Sequence, residues 1–152
     1  MSQKQWGNIT WILFHTLAEK IKDDEFNNVK PIFINFIKDT CINLPCPICA
    51  NHATENISKS RINYISKKSD MIEFLRQFHN IVNKKINKPI QEKEIVLQRY
   101  KMANLINIIR KFNVIYSIKY GNFEVNAFHR SNMRQMYLKR ANQKLSILLK
   151  AC

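Results

Sequence analysis

Glycine is almost missing: Gly7 and Gly121 are the only two in 152 residues. Tight turns and close backbone approach to phosphates rely on glycine, which alone enters the left-handed region without strain. The scarcity excludes a G-x-G-x-x-G loop, so a dinucleotide cofactor would have to be held by side chains. It also argues against a turn-rich β architecture and for an all-α chain. No stretch reaches the roughly 18 consecutive apolar residues of a membrane-spanning helix. The start, MSQKQWGNITW, lacks a cationic segment followed by an apolar core, so no secretory leader is expected. The chain is therefore expected to stay in the cytosol or nucleus. In those compartments stable structural disulfides are unusual, and a C-x-x-C points to catalysis or metal binding.

Acidic residues are the other shortage. Residues 1–90 carry 13 Lys/Arg against 8 Asp/Glu, and residues 91–152 carry 12 against 3. The step falls near Lys88-Pro89 and divides the chain into a section at 1–90 and a basic extension at 91–152. Such an extension suits nucleic acid, an anionic membrane face or an acidic partner, and equally a plain solvated surface.

What the sequence has is helical periodicity. Apolar residues at 9, 12, 13, 17 and 21 predict a first helix over Ile9–Ile21. DDEFNN reads as an interruption, after which Pro31 suits the first turn of a second helix through IFINFI. Pro47 opens a third just after Cys46. Asp70 is a candidate cap for a fourth, with Ile72, Leu75, Phe78, Val82 and Ile86 on one side, ended by Lys88-Pro89. A long fifth helix is expected over about 92–118, and a last one over about 131–149. GNFEVNAF between them reads as a loop or short strand. The extension's apolar positions predict that it packs on the core or widens a dimer interface, its cations facing outward.

Four cysteines are present: Cys41, Cys46, Cys49 and Cys152. In LPCPICANHA, Pro47 places Cys46 at a helix N-terminus, where unpaired N–H groups and the helix dipole favour a thiolate. Cys49 follows one turn deeper, so the pair can close a reversible disulfide with an outer and an inner sulfur. A zinc reading needs four ligands, from Cys41, Cys46, Cys49 and His52. No second C-x-x-C or H-x-x-x-H follows to support it. Cys41 is expected to be a buried thiol at a helix end, and Cys152, at position 152, to be mobile.

Two further stretches bear on the choice. WGNITWILFH sets Trp11 and His15 four apart on one helix face. FHNIVNKKINKP carries His79, Asn80, Val82, Asn83, Ile86 and Lys88. His and Asn mixed with apolar residues suit a heteroaromatic ligand, whose rings pack on the apolar atoms while the amides read its edges. Taken singly, Trp11 suits a core and His79 a satisfied buried histidine.

In this order, W-G-x-x-x-W-x-x-x-H, C-x-x-C-x-x-H and H-N-x-V-N-x-x-x-x-K-P resemble the Erv/ALR flavin-linked sulfhydryl oxidases. The resemblance covers about residues 5–90. It is greatest to the compact members encoded by large cytoplasmic DNA viruses. It implies a four-helix core binding FAD, a short fifth helix and a homodimer. The implied activity is oxidation of protein dithiols, with electrons passed through FAD to oxygen to give hydrogen peroxide. Substrates would be a thioredoxin-like carrier or virion proteins, in the cytoplasm. By motif, Cys46 and Cys49 are the redox pair, and Trp11, His15, Cys49, His52, His79, Asn80, Val82, Asn83 and Lys88 contact FAD. Trp6 and Gly7 shape the start of the first helix. Two features depart from the family. No cysteine lies between Pro89 and Lys150 to staple the core, and the remaining Cys41 and Cys152 are too far apart in the chain to form a second C-x-x-C-like shuttle pair. The alternatives are a zinc-stabilised basic module that binds nucleic acid and a helical interaction protein with an incidental C-x-x-C.

Overall fold

The computed structural model describes residues 3–118 and 125–152. Among them are seven helices, one short 3-10 turn at Ile62–Tyr64 and no strand. The helices are α1 (Gln3–Lys20), α2 (Asp23–Ile42), α3 (Pro47–Ser58), α4 (Lys68–Lys85), α5 (Lys93–Lys101), α6 (Leu105–Ser117) and α7 (Val125–Lys150). The all-α expectation holds.

Three helices, α4, α5 and α6, pack around α1, while α2 packs against α3 and α7, and α6 also meets α7. The burial of α1 follows from this crowding. Ile9, Leu13, Phe14, Leu17 and Ala18 are all buried, too many for a single stripe. A ladder of aromatic rings ties the two halves together. Phe14 meets Phe36 edge-on at 5.8 Å, Phe36 meets Phe112 at 6.4 Å, and Phe112 meets Tyr116 at 4.4 Å. Such ring pairs add roughly 0.5–1.5 kcal/mol beyond the area they bury. Residues from α6 and α7 thus share one continuous core with those of α1, α2 and α4.

Two buried tyrosines use the same device. Thr10 Oγ1 donates to the Trp6 carbonyl at 2.6 Å and lies 2.6 Å from Tyr116 Oη. Thr40 Oγ1 donates to the Phe36 carbonyl at 2.7 Å and lies 2.6 Å from Tyr137 Oη. Each threonine proton is committed to a helix carbonyl, so each phenol donates to the threonine oxygen. These bonds let α6 and α7 bury a hydroxyl without leaving it unpaired.

Several boundaries differ from the sequence reading, each for a local reason. DDEFNN is the opening of α2, because Asp23, Asp24 and Glu25 complement the helix dipole in its first turn. Pro31 therefore lies inside α2. The bond it cannot donate would go to Asn27, and both residues are exposed, so the freed carbonyl lies on the water side. Asp70 sits in the first turn of α4, and Lys67 is the cap residue. The single long helix after residue 92 is two helices. Asn104 caps α6 by accepting from Asn107 N–H at 3.1 Å, and Lys20 Nζ donates to the Lys101 carbonyl at 2.8 Å, closing α5. The last helix begins at Val125, which takes in the end of GNFEVNAF, while residues 121–124 lie outside the described residues.

Cys41 is a buried thiol at the end of α2, pushed up to about 12 by burial. Cys152 is not loose. It is half-buried against the core, its Sγ lies 3.2 Å from the Leu148 carbonyl, and Lys22 N–H donates to the adjacent Ala151 carbonyl at 2.9 Å. Nor do all the extension's cations face outward. Arg140 and Lys144 of α7 both reach Asp39 of α2, at 3.0 and 3.1 Å. Partial burial would raise the Asp39 carboxyl, but the two charged donors outweigh it and hold the group below its usual range.

Asp39→Asn is expected to lower stability by about 1 kcal/mol, since it removes a half-shielded carboxylate from two cations. Urea denaturation in low and in 1 M salt checks this, and the loss should shrink in high salt.

Candidate active site

A cavity of about 530 Å³ opens between α1, α3, α4, α5 and the loop after α4. That size falls within the roughly 300–1,000 Å³ of small-molecule and cofactor sites. Each wall has a traceable local origin.

The α3 wall carries the Cys46–Cys49 pair. Pro47 occupies the first turn and Cys46 is the cap, its sulfur accepting from Cys49 N–H at 3.3 Å. Cys46 and Cys49 are joined as a disulfide, with Cα atoms 5.1 Å apart. Cys49 lines the cavity and Cys46 does not, which makes Cys49 the inner and Cys46 the outer sulfur. One turn on, His52 also lines it, with Asn56 Nδ2 donating to its carbonyl at 3.0 Å.

The α1 wall carries Trp11, and the α4 wall carries His79, Val82 and Asn83. Trp11 and His79 stack face to face, 4.2 Å apart and 7° from parallel. His15 does not line the cavity. It is 3% exposed and lies behind His79, its Nε2 3.1 Å from His79 Nδ1 and its ring stacked on Tyr100 at 4.8 Å.

Asn80 does not line it either. It holds the loop after α4, its Oδ1 accepting from Gln91 N–H at 2.6 Å and its Nδ2 donating to the Gln91 carbonyl at 3.2 Å. Asn83 lines the cavity, but its Nδ2 donates to the Pro89 carbonyl at 3.0 Å, and its own carbonyl accepts from Lys88 N–H at 2.8 Å. Between them Asn87 takes a left-handed φ of 55°, a region asparagine tolerates. The two asparagines thus fold residues 88–91 back along α4, placing Lys88 on the cavity wall.

Three features of the wall were not foreseen. Arg99 and Tyr100 of α5 face the cavity, and so does Cys41. The extension offers no motif for the first two, because their place depends on the break at Asn104 and the folded-back loop. Lys85, Lys88 and Arg99 are cationic lining residues, and no acidic residue lines the cavity among the described residues. Gly7 borders the cavity, and a Cβ built there would have nothing within 4 Å. A glycine inside a helix costs about 0.5–1 kcal/mol relative to alanine.

The Erv1 / Alr family sequence model matches residues 8–112. The chain belongs to that family. "Putative FAD-linked sulfhydryl oxidase 096R" of Invertebrate iridescent virus 3 is 32% identical over 100 residues, covering 65% of this chain and 68% of the relative. An FAD-linked sulfhydryl oxidase of African swine fever virus (isolate Tick/Malawi/Lil 20-1/1983) is 29% identical over 116 residues, covering 76% and 88%. Another from Oryza sativa subsp. japonica is 26% identical over 90 residues, covering 59% and 46%. No solved structure matches. The family match runs beyond Lys88-Pro89 and takes in α5 with its Arg99 and Tyr100. Nothing favours the zinc module: Cys46 and Cys49 are bonded to each other, and no three metal-binding side chains converge among the described residues.

The hydrogen-bonded pair His15 and His79 is held neutral. Burial, then His79 and Arg99, push His15 from 6.5 down to about 3. Burial, then Lys88 and Arg99, push His79 down to about 4. Below about pH 6.5 the unfolded chain binds a proton at each ring and the folded chain does not. Unfolding then takes up protons, so stability falls as the pH drops toward about 4 at His79 and about 3 at His15. The urea midpoint of the ligand-free protein is expected to decline from pH 7 to 4.5. His15→Gln should remove about half of that slope.

Proposed function

We infer that this chain is an FAD-linked sulfhydryl oxidase that forms disulfide bonds in substrate proteins. The observation that carries the reading is a C-x-x-C disulfide whose inner sulfur lines an aromatic, cation-rimmed cavity. The lining fits FAD in kind. Trp11, His79, Val82 and Tyr100 offer faces for ring packing, and Lys85, Lys88 and Arg99 suit a diphosphate. The residues assigned to hold FAD are Trp11, Cys49, His52, His79, Val82, Asn83 and Lys88, joined by Arg99 and Tyr100. In this reading Asn80 acts by holding the loop, and His15 by backing His79.

The chemistry follows from the position of the two sulfurs. A substrate thiolate attacks Cys46 Sγ, the outer sulfur, and the Cys46–Cys49 bond breaks with Cys49 leaving as thiolate. A second substrate thiolate attacks the substrate sulfur of the mixed disulfide. The substrate disulfide forms and Cys46 leaves as thiolate. The N-terminus of α3 favours that negative charge, since Cys46 caps it and unpaired N–H groups point that way. The pair now holds the two electrons taken from the substrate. FAD held by the cavity would supply the two-electron acceptor for this reduced pair, with oxygen as the final acceptor and hydrogen peroxide as its product.

The physiological setting belongs to the same proposal. Similarity to oxidases of an iridescent virus and African swine fever virus supports work in the cytoplasm of an infected cell or in the virion. The substrates would be virion proteins or a thioredoxin-like carrier, and the working form a homodimer. No helix among the described residues is long and apolar enough to cross a membrane.

Purified protein is expected to be yellow, with a flavin spectrum that persists in Cys49→Ser. Oxygen consumption with a small dithiol should be abolished in both Cys46→Ser and Cys49→Ser. Near-normal turnover in either variant would refute the assigned pair. Cys152→Ser should keep most of its turnover on the same dithiol, because that thiol is half-buried and raised by burial, a poor nucleophile.

A further inference from the structure

His15 and His79 form a contact that no motif describes. Nε2 of His15 lies 3.1 Å from Nδ1 of His79. Each ring is further fixed by a stacked neighbour, His79 by Trp11 at 4.2 Å and His15 by Tyr100 at 4.8 Å. His15 is 3% exposed and does not line the cavity, from which His79 and Tyr100 separate it. A neutral imidazole has one N–H donor and one acceptor nitrogen. The contact therefore uses one proton, and whichever ring donates decides what His79 offers on its other nitrogen.

The surrounding charges choose between the two arrangements. Lys88 of the loop after α4 and Arg99 of α5 are the cations that act on the pair, the Tyr100 ring stacks on His15, and Lys85 of α4 lines the same cavity. His52 lines the same cavity from α3, where the Cys46–Cys49 disulfide carries no charge. No carboxylate joins them among the described lining residues. A positive rim favours a lone pair directed toward it over an N–H.

We propose that His15 is a positioning residue: it accepts the Nδ1–H of His79 and so holds His79 Nε2 as a hydrogen-bond acceptor for an N–H of the bound flavin dinucleotide. This rests on the flavin reading above. FAD carries two such donors, the exocyclic amine of adenine and the imide N–H of the isoalloxazine. The pairing requires one of them at His79, and it accounts for a buried histidine that does not itself line the cavity.

The test combines nitrogen NMR with ligand affinity. In the wild type, ¹⁵N spectra should show His79 as a single tautomer with its proton on Nδ1. His15→Gln, whose Oε1 can accept the same proton, should keep that tautomer and bind FAD within about threefold of wild type. His15→Leu should give a tautomer mixture and bind FAD about tenfold more weakly, the scale of one lost hydrogen bond. Flavin hypoxanthine dinucleotide lacks the adenine amine, and 3-methyl-FAD lacks the imide proton. One of the two should bind wild type about tenfold more weakly than FAD and lose little more in His15→Leu, which identifies the donor. A proton on Nε2 of His79 in the wild type would overturn the proposal, whether or not His15→Leu folds. So would FAD binding in a folded His15→Leu equal to wild type. A wild-type protein that binds no FAD would instead sink the flavin reading, while the tautomer measurement still decides the pairing.

Discussion

The covering of α1 by three helices is the constraint on which this structure turns. Its inner residues, Leu13, Phe14 and Leu17, are held between α4 and α6, and the aromatic contacts of Phe14 extend the grip to α2. With α1 fixed, Trp11 and His15 have defined places one turn apart, against the His79 face of α4. Loosening α1 would displace both the stacked pair and the histidine behind it. The cavity is thus a by-product of how the core is closed, and its rigidity comes from the core.

The Cys46–Cys49 pair is organised differently. Its geometry is local: a proline at the first turn, a cysteine at the cap and a second cysteine one turn on. What the rest of the fold adds is direction. Packing of α3 against α2, through Ala53 and Ile57, turns Cys49 toward the cavity and leaves Cys46 outside its lining. In the proposed function, that orientation sets the order of sulfur exchange. The basic extension takes part as structure as well. Tyr116 and Tyr137 are buried on α1 and α2, and Arg140 and Lys144 are spent on Asp39, so fewer of its cations are available to a partner than the charge count suggests.

Much of the site was legible before any coordinates, for physical reasons. The spacing of Cys46 and Cys49 around Pro47 specifies a helix-capped dithiol almost regardless of context. Trp11, His79, Val82 and Asn83 do line the cavity, the last three because residues three or four apart share a face of α4, and Lys88 joins them through the folded-back loop. Periodicity failed where side chains compete with it. Three acids opened α2 ahead of its proline, and Asn104 split a pattern that looked continuous.

The amino-acid sequence by itself determined the helical class, the proline-capped C-x-x-C and the family of motifs, since each rests on residues close together along one helix. Only the tertiary structure decided which members of those motifs face the cavity. Asn80 and His15 lie at the right spacing but are drawn into hydrogen bonds with Gln91 and His79. Arg99 and Tyr100 join the site because the loop after α4 folds back, through contacts between residues 80 and 91 that no local pattern encodes. Buried polar groups must find partners, and which partner lies within reach is set by packing between helices.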